Sequence, residues 1–434
     1  MNALTELRDR VRGRVLLPED TGFDSARRPW NLAVEQDVAA VVEAADAADV
    51  AALARYTAAH GLRVSAQPSG HGATGDLDGA ILLRTRLLDE VAIDAAGRTA
   101  RVGAGVRWGQ VQGIAAEHGL TGLPGSSPVV SVTGYTLGGG LSWFSRAYGW
   151  AADSVTAIEG VGADGTPFRV MAGDDLFWAL RGGGGDYALV TALEFTLHPA
   201  PRLYGGRMLW PAERAAEVLD TYRTVTAAAP ETLTLWLDLL NFPGSAPLVA
   251  VDATYLGEPA EGRDLLRPLA NLDGLLSDGR GPLSTADLGS ITAEPTEPGP
   301  GLSRGELLTA LDDRAAKTLL AEPIDPLLSV QLRHLGGALA RPSDSPHGPL
   351  EEPYALYLFG VPTSPESAAA VRARQRDLVR DLAPWISGHK PYTYLTPSET
   401  AADAFAPDTL ARLRAIKHRF DPHHTIRSNY PIPF

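Results

Sequence analysis

The chain reads as an α+β protein of more than one part, and three features predict it. A β-α-β unit near the amino end delivers a glycine-rich loop. A second glycine-rich passage follows around residue 130. Beyond Pro199, apolar residues at helical spacing give way to short alternating segments that suit an antiparallel sheet. At 434 residues the chain exceeds one ordinary core, and its 44% apolar and 21% charged content supplies ample material for a globular one.

Leu4–Val15 reads as a short amphipathic helix, Asp24–Trp30 as an irregular lead-in and Val38–Ala45 as a strand. Asp46 or Asp49 caps a helix over Val50–His60, which Gly61 stops. The strand Leu62–Ala66 completes a β-α-β unit of about 30 residues, and Ala80–Leu83 is the next strand. Between them lies Gln67-Pro-Ser-Gly-His-Gly-Ala-Thr-Gly75. Its glycines let the main chain approach an anion closely, at the carboxyl end of a strand where open α/β units place ligands. His71 stands in its middle, and the residues alone leave open a phosphate contact or a structural histidine in a turn.

Val91–Asp94 and Thr99–Gly103 are predicted strands, and Val106–His118 a helix ending at Gly119. Gly122–Gly140 is dense in glycine, each of which weakens regular structure by about 1 kcal/mol, so a flat or phosphorylated ligand against the backbone is the expected reason. Asp153–Glu159, Phe168–Met171 and Ala188–Leu197 read as strands, with a short helix from Asp174 running into the glycines ending at Gly185. In the second part Gly206–Trp210, Thr232–Leu239, Leu248–Tyr255, Ser329–Leu335, Tyr354–Gly360 and Tyr392–Leu395 are predicted strands. Ala212–Ala229, Ala260–Leu269, Glu306–Leu311 and Pro365–Leu382 are predicted helices, and 277–303 a long surface loop. Asp408–Phe420 closes as a basic amphipathic helix.

Several function classes are excluded. A formal charge of −14 without a basic run repels nucleic acid and anionic membrane. The absence of cysteine removes disulfides, thiolate metal sites and thiol nucleophiles. No His/Asp/Glu cluster has metal-ligand spacing, and no nucleophile elbow supports hydrolysis. Without a signal-like or membrane-length apolar run, a cytoplasmic protein is expected.

Six motifs in order then carry a resemblance. They are Ser69-Gly-His-Gly72, Gly134-Tyr-Thr-Leu-Gly-Gly-Gly140, Ser145-Arg-Ala-Tyr-Gly149 with Asp153, Leu176-Phe-Trp-Ala-Leu-Arg-Gly-Gly-Gly-Gly185, Arg333-His-Leu-Gly-Gly-Ala338, and Ile416-Lys-His-Arg-Phe-Asp-Pro422 with Asn429-Tyr430. Together they resemble the berberine-bridge-enzyme-like branch of the vanillyl-alcohol-oxidase flavoproteins, and within it the bacterial 6-hydroxy-D-nicotine-oxidase-like members. The resemblance implies a bound FAD and a two-part FAD-binding domain of the PCMH type, residues 1–200 and 396–434. An antiparallel substrate domain, 201–395, is inserted between them.

It implies that His71 is linked to the flavin 8α carbon. The position of a second, cysteinyl tether in plant and fungal relatives is Ser127 here, whose hydroxyl cannot replace a thiolate at neutral pH, so a single histidyl link is expected. Val130 falls at a gate position where valine resembles oxygen-using members. Ser69, Gly70, Gly72, Gly134, Thr136, Gly138, Gly139, Ser145 and Asp153 are expected along the cofactor, with Val190 at the adenine and Asn429 and Tyr430 beside the ring.

For catalysis, nicotine-oxidase-like members place a glutamate pair where this chain has Pro353-Tyr-Ala-Leu-Tyr-Leu-Phe-Gly360, without a carboxylate; that departure argues against an amine oxidase. Tyr357 shares a face with Ala355 and opposes Tyr354. Tyr357, Tyr394 and Tyr135 are the candidate proton-handling groups. Trp236, Asp238, Gln331, Arg333 and Tyr392 are candidate substrate contacts, by period-two pairing of 236 with 238, 331 with 333, and 392 with 394. The expected activity is an FAD-dependent oxidase acting on a small or mid-sized hydroxylated or aromatic substrate, with O2 as acceptor and secondary-metabolite tailoring as its setting. A dehydrogenase or sugar oxidase of the same family, or a flavin-bearing binding protein without turnover, are the alternatives.

Overall fold

The computed structural model describes residues 3–433. At the amino end a four-stranded sheet runs Arg14–Leu16, Ala40–Glu43, Ile81–Arg84, Val64–Ala66, the first pair antiparallel and the others parallel. The helix Ala47–His60 crosses between two of these strands. Asp46 is its cap, accepting from the Ala48 and Asp49 amides, and Gly61 ends it at φ 62°. Asp49 serves elsewhere: its carboxylate accepts the amides of Arg12, Gly13 and Ala45. That bond turns the chain, so the predicted helix Leu4–Val15 stops at Asp9 and a strand begins at Arg14. The predicted lead-in instead contains the short helix Phe23–Arg27.

A five-stranded antiparallel sheet follows, ordered Val91–Asp94, Thr99–Gly103, Leu189–Thr196, Val155–Val161, Pro167–Met171. The second glycine passage packs on it through a six-residue helix, Val132–Leu137. Asp153 lies in the turn Ala151–Ser154, ahead of the strand predicted to include it.

The third sheet is antiparallel throughout, ordered Ser277–Asp278, Leu203–Pro211, Leu248–Leu256, Leu233–Leu240, Ser329–His334, Tyr354–Gly360, Leu302–Leu308. The helices Ala215–Ala228 and Pro365–Asp381 bury Val218, Leu219, Tyr222, Val371 and Leu378 against one face. The other face carries Trp236 and Ala355, packed against Trp143 and Trp150 of the second glycine passage's neighbourhood.

Three predictions fail in this part. Glu306–Leu311 is no helix: residues 302–308 pair along the whole of Tyr354–Gly360. The loop 277–303 holds two short strands, Ser277–Asp278 and Gly281–Leu283, both paired to Leu203–Pro211, and a turn of helix at Gly289–Thr292. Tyr392–Leu395 is not a strand but a one-turn 3-10 helix over Tyr392–Tyr394, entered from Pro391.

After the helix Pro407–Phe420, the chain returns to the first two sheets. Leu410, Leu413, Ile416 and Ile432 share a core with residues of the five-stranded sheet, and Ile426 bridges to Val64. Among the described residues no helix is long and apolar enough to cross a membrane.

Candidate cofactor and substrate site

The His71 loop is held from below by buried Arg84, which donates to the Gln67 carbonyl and to Gln67 Oε1 at 3.0 Å each, and to the carbonyls of Ala26 and Arg28. Gly70 turns the loop at φ 87°, where a Cβ would fall 2.7 Å from Pro29, so only glycine fits. His71 emerges stacked on Trp30 with ring centroids 4.5 Å apart. Its Nδ1 lies 2.8 Å from Ser69 Oγ, and among the described residues its Nε2 has no partner. Burial, with Arg107 nearby, lowers its pKa to about 4, so the imidazole is neutral at physiological pH.

Facing this loop is the terminal segment. Thr74 Oγ1 donates to the Asn429 carbonyl at 3.2 Å, and the Asn429 amide nitrogen lies 3.7 Å from where a Gly72 Cβ would stand. The segment is fixed from behind. Buried Asp186 accepts the Ser428 and Ile432 amides at 2.9 and 3.0 Å. Lys417 Nζ donates to Asp421 at 2.8 Å and to the carbonyls of Asp186 and Ile426 at 2.6 and 2.7 Å. Asp421 accepts the Thr425 and Ile426 amides. Burial pushes the Asp186 carboxyl up against the opposing pull of Lys417.

The second glycine passage is anchored where the Val130 carbonyl accepts from the Trp108 amide and the Pro128 carbonyl from Gly109. Ser131 caps the helix Val132–Leu137, receiving the Gly134 amide. His347, which sequence reasoning did not single out, donates from Nε2 to the Gly138 carbonyl at 3.0 Å and stacks on Trp150. A Cβ on Gly139, at φ 99°, would lie 2.6 Å from that nitrogen. Ser145 Oγ accepts the Ser142 amide, and Asp153 accepts from Ser343 Oγ, so both candidates already have protein partners. Val190 is buried in its strand opposite Gly160.

Buried polar atoms almost always find a partner. Among the described residues Ser127 Oγ, Thr133 Oγ1, Tyr135 OH and Thr136 Oγ1 have none. Their place along the second glycine passage fits a polar cofactor lying there.

The sheet face supplies the other side. Pairing places Trp236 opposite Arg333, Asp238 opposite Gln331, and Gln331 opposite Tyr357. Asp238 accepts from Ser329 Oγ at 2.6 Å and from Gln331 Nε2 at 3.1 Å; Gln331 Oε1 accepts from Arg333 Nε and Nη2; Arg333 Nη1 reaches the Tyr394 hydroxyl at 3.4 Å. Burial raises the Asp238 pKa to about 6. The Tyr394 ring lies across Gly305, where a Cβ would be 2.3 Å from it, and sits 5.8 Å from the Tyr357 ring. Burial and the neighbouring Tyr394 raise the Tyr135 phenol, which Arg333 opposes. Tyr392 does not join this group. The 3-10 turn sends it the other way, its hydroxyl donating to the Tyr430 carbonyl, into a core with Phe405. Tyr430 is buried beside it and donates to the Leu395 carbonyl.

Residues 38–171 match the family model described as an FAD binding domain. The (R)-6-hydroxynicotine oxidase of Paenarthrobacter nicotinovorans is 28% identical, over 97% of each chain. The crystal structure of 6-hydroxy-D-nicotine oxidase from Arthrobacter nicotinovorans superposes with a TM-score of 0.86 at 25% identity, covering 98% of each chain. Physcomitrella patens BBE-like 1 shares the fold, with a TM-score of 0.87 at 18% identity over 99% of each chain. An FAD-binding domain under an antiparallel sheet makes this chain an FAD-dependent oxidoreductase. Over its whole length it is similar to the 6-hydroxynicotine oxidases, and it shares its fold with a berberine-bridge-enzyme-like protein.

Proposed function

We propose that the chain is an oxidase of small or mid-sized hydroxylated, aromatic substrates, with residues 1–200 and 396–434 holding FAD and 201–395 covering its ring. When bound, FAD supplies the hydride acceptor and returns the electrons to O2 as H2O2. The observation that carries this reading is the meeting of Arg333 and Tyr357 on one sheet face with Tyr394 from the 3-10 turn across it, opposite a glycine passage whose buried hydroxyls lack partners among the described residues.

Each residue then has a task. His71 is neutral, and with Nδ1 engaged by Ser69 its Nε2 is the atom for the 8α link. Ser127, without a thiol, leaves that link single. Thr136 and the main chain at 69–72 and 138–139 hold polar parts of the cofactor, Val130 keeps the gate position, and Asn429 and Tyr430 flank the ring. Tyr394 or Tyr357 takes the proton of the substrate hydroxyl, with Arg333 beside both: its guanidinium reaches the Tyr394 hydroxyl and opposes the rise that burial gives the Tyr357 phenol. Tyr135 adds a donor that has no competing partner among the described residues. Ser145, Asp153, Val190 and Tyr392 act as supports rather than contacts.

The test is anaerobic mixing with a panel of aromatic alcohols, amines and sugars, followed by air. Flavin bleaching by alcohols and recovery within seconds is expected. Bleaching by amines alone, or reoxidation over minutes, would refute respectively the substrate and the oxidase parts.

A further inference from the structure

Arg333 carries a charge that the sheet face does not answer. Beside it, Arg207 is held by Asp252 through two bonds of 2.6 and 2.7 Å, and Asp238 is engaged by Ser329 and Gln331. Among the described residues Arg333 forms no ion pair; Glu294 acts on it only from a distance. Its Nε and Nη2 converge on one oxygen, Gln331 Oε1, at 3.0 and 2.8 Å, and Nη1 is 3.4 Å from Tyr394 OH. Trp236 and Tyr357 cover the guanidinium, with centroids 4.2 and 4.6 Å from its carbon.

A guanidinium offers five N–H donors in a planar fork. Three are accounted for here. The other two, one on Nη1 and one on Nη2, share the distal end of the fork, the arrangement that grips both oxygens of a carboxylate. The fork is also pre-aimed: Gln331 shows its oxygen to Arg333 because its amide nitrogen is committed to Asp238. Arg333 stays only half-buried, so a ligand can reach it, while the rings of Tyr357 and Tyr394 stand alongside for a flat body.

We propose that the substrate is an aromatic or otherwise conjugated carboxylic acid, its carboxylate taken by the distal end of Arg333. The assignment rests on the reading that substrate lies against this sheet face. A neutral ligand would leave the cation desolvated and unpaired, whereas a carboxylate supplies the missing charge.

The test is titration calorimetry on the protein as purified, with sodium benzoate, benzamide, benzyl alcohol and sodium acetate. Benzoate is expected to bind roughly tenfold tighter than benzamide, and Arg333→Gln to bring the two within about twofold. Equal affinity for benzoate and benzamide in the parent protein, or no heat with benzoate, overturns the proposal without any variant. Acetate binding as tightly as benzoate overturns its conjugated half. Heat does not depend on the flavin spectrum. Yellow protein that fails to discriminate sinks this proposal alone; colourless protein that discriminates supports it while sinking the FAD reading.

Discussion

Replacing Lys417 with methionine removes a buried cation from beneath the terminal segment. Its Nζ joins Asp421 to the carbonyls of Asp186 and Ile426, with the Asp186 carboxylate 3.5 Å away. All four residues are buried. Breaking such a pair from one side leaves a buried carboxylate uncompensated and costs about 3–5 kcal/mol. If that loss falls on local opening of residues 421–432, amide exchange there speeds by about 10²–10⁴-fold, at roughly 1.4 kcal/mol per decade. Hydrogen–deuterium exchange by mass spectrometry reads it at the amides of Thr425, Ile426, Ser428 and Ile432, which the two aspartates hold. Lys417→Met/Asp421→Asn should recover much of the protection, because the orphaned charge goes with its partner. An increase below about tenfold in the single variant would mean that the segment is held by Ile426 and Ile432 packing, and the reasoning would fail.

Denatured protein should stay yellow, and His71→Ala should release its colour on denaturation; colour lost from the parent protein refutes the covalent link. Tyr394→Phe or Tyr357→Phe should slow substrate reduction of the flavin by roughly tenfold or more in stopped flow, and two unchanged rates remove both phenols from proton transfer. Gly305→Ala drives a methyl into the Tyr394 ring; about 1–3 kcal/mol of stability should go, seen as a lower urea midpoint, with Arg333 losing its phenol partner. Asp238 has a folded pKa of about 6, above its ordinary 3.8. Its contribution is therefore fully present below about pH 4 and fades as pH rises through about 6, by at most about 3 kcal/mol. Urea midpoints across that window should fall less steeply in Asp238→Asn, and parallel curves would contradict the shift.

Local chemistry was legible in the chain, and distant pairing was not. The β-α-β unit, the caps at Asp46 and Gly61, and the strands Val91–Asp94 and Thr99–Gly103 follow from spacing within a few residues, and the structure has them. Period-two reasoning also put Trp236 with Asp238 and Gln331 with Arg333, which share the sheet face. It failed at Tyr392 and Tyr394, where alternating aromatics belong to two surfaces separated by a turn of 3-10 helix. It failed again at Leu302–Leu308, an edge strand whose single partner lies about fifty residues on and whose Arg304 and Glu306 pair with each other. His347 was invisible for the same reason: it is a lone histidine among prolines and glycines, and its acceptor at Gly138 is 209 residues away.

The bond from Thr74 to Asn429 spans 355 residues of chain. The crevice around His71 therefore lacks this wall until the segment around Asn429 has been synthesised. A nascent chain stalled before Asp421 would present the loop to solvent with its imidazole already in place and nothing to close against it. Closure over whatever this crevice holds must then wait for residues 421–432, a segment made more than three hundred residues after the loop it clasps.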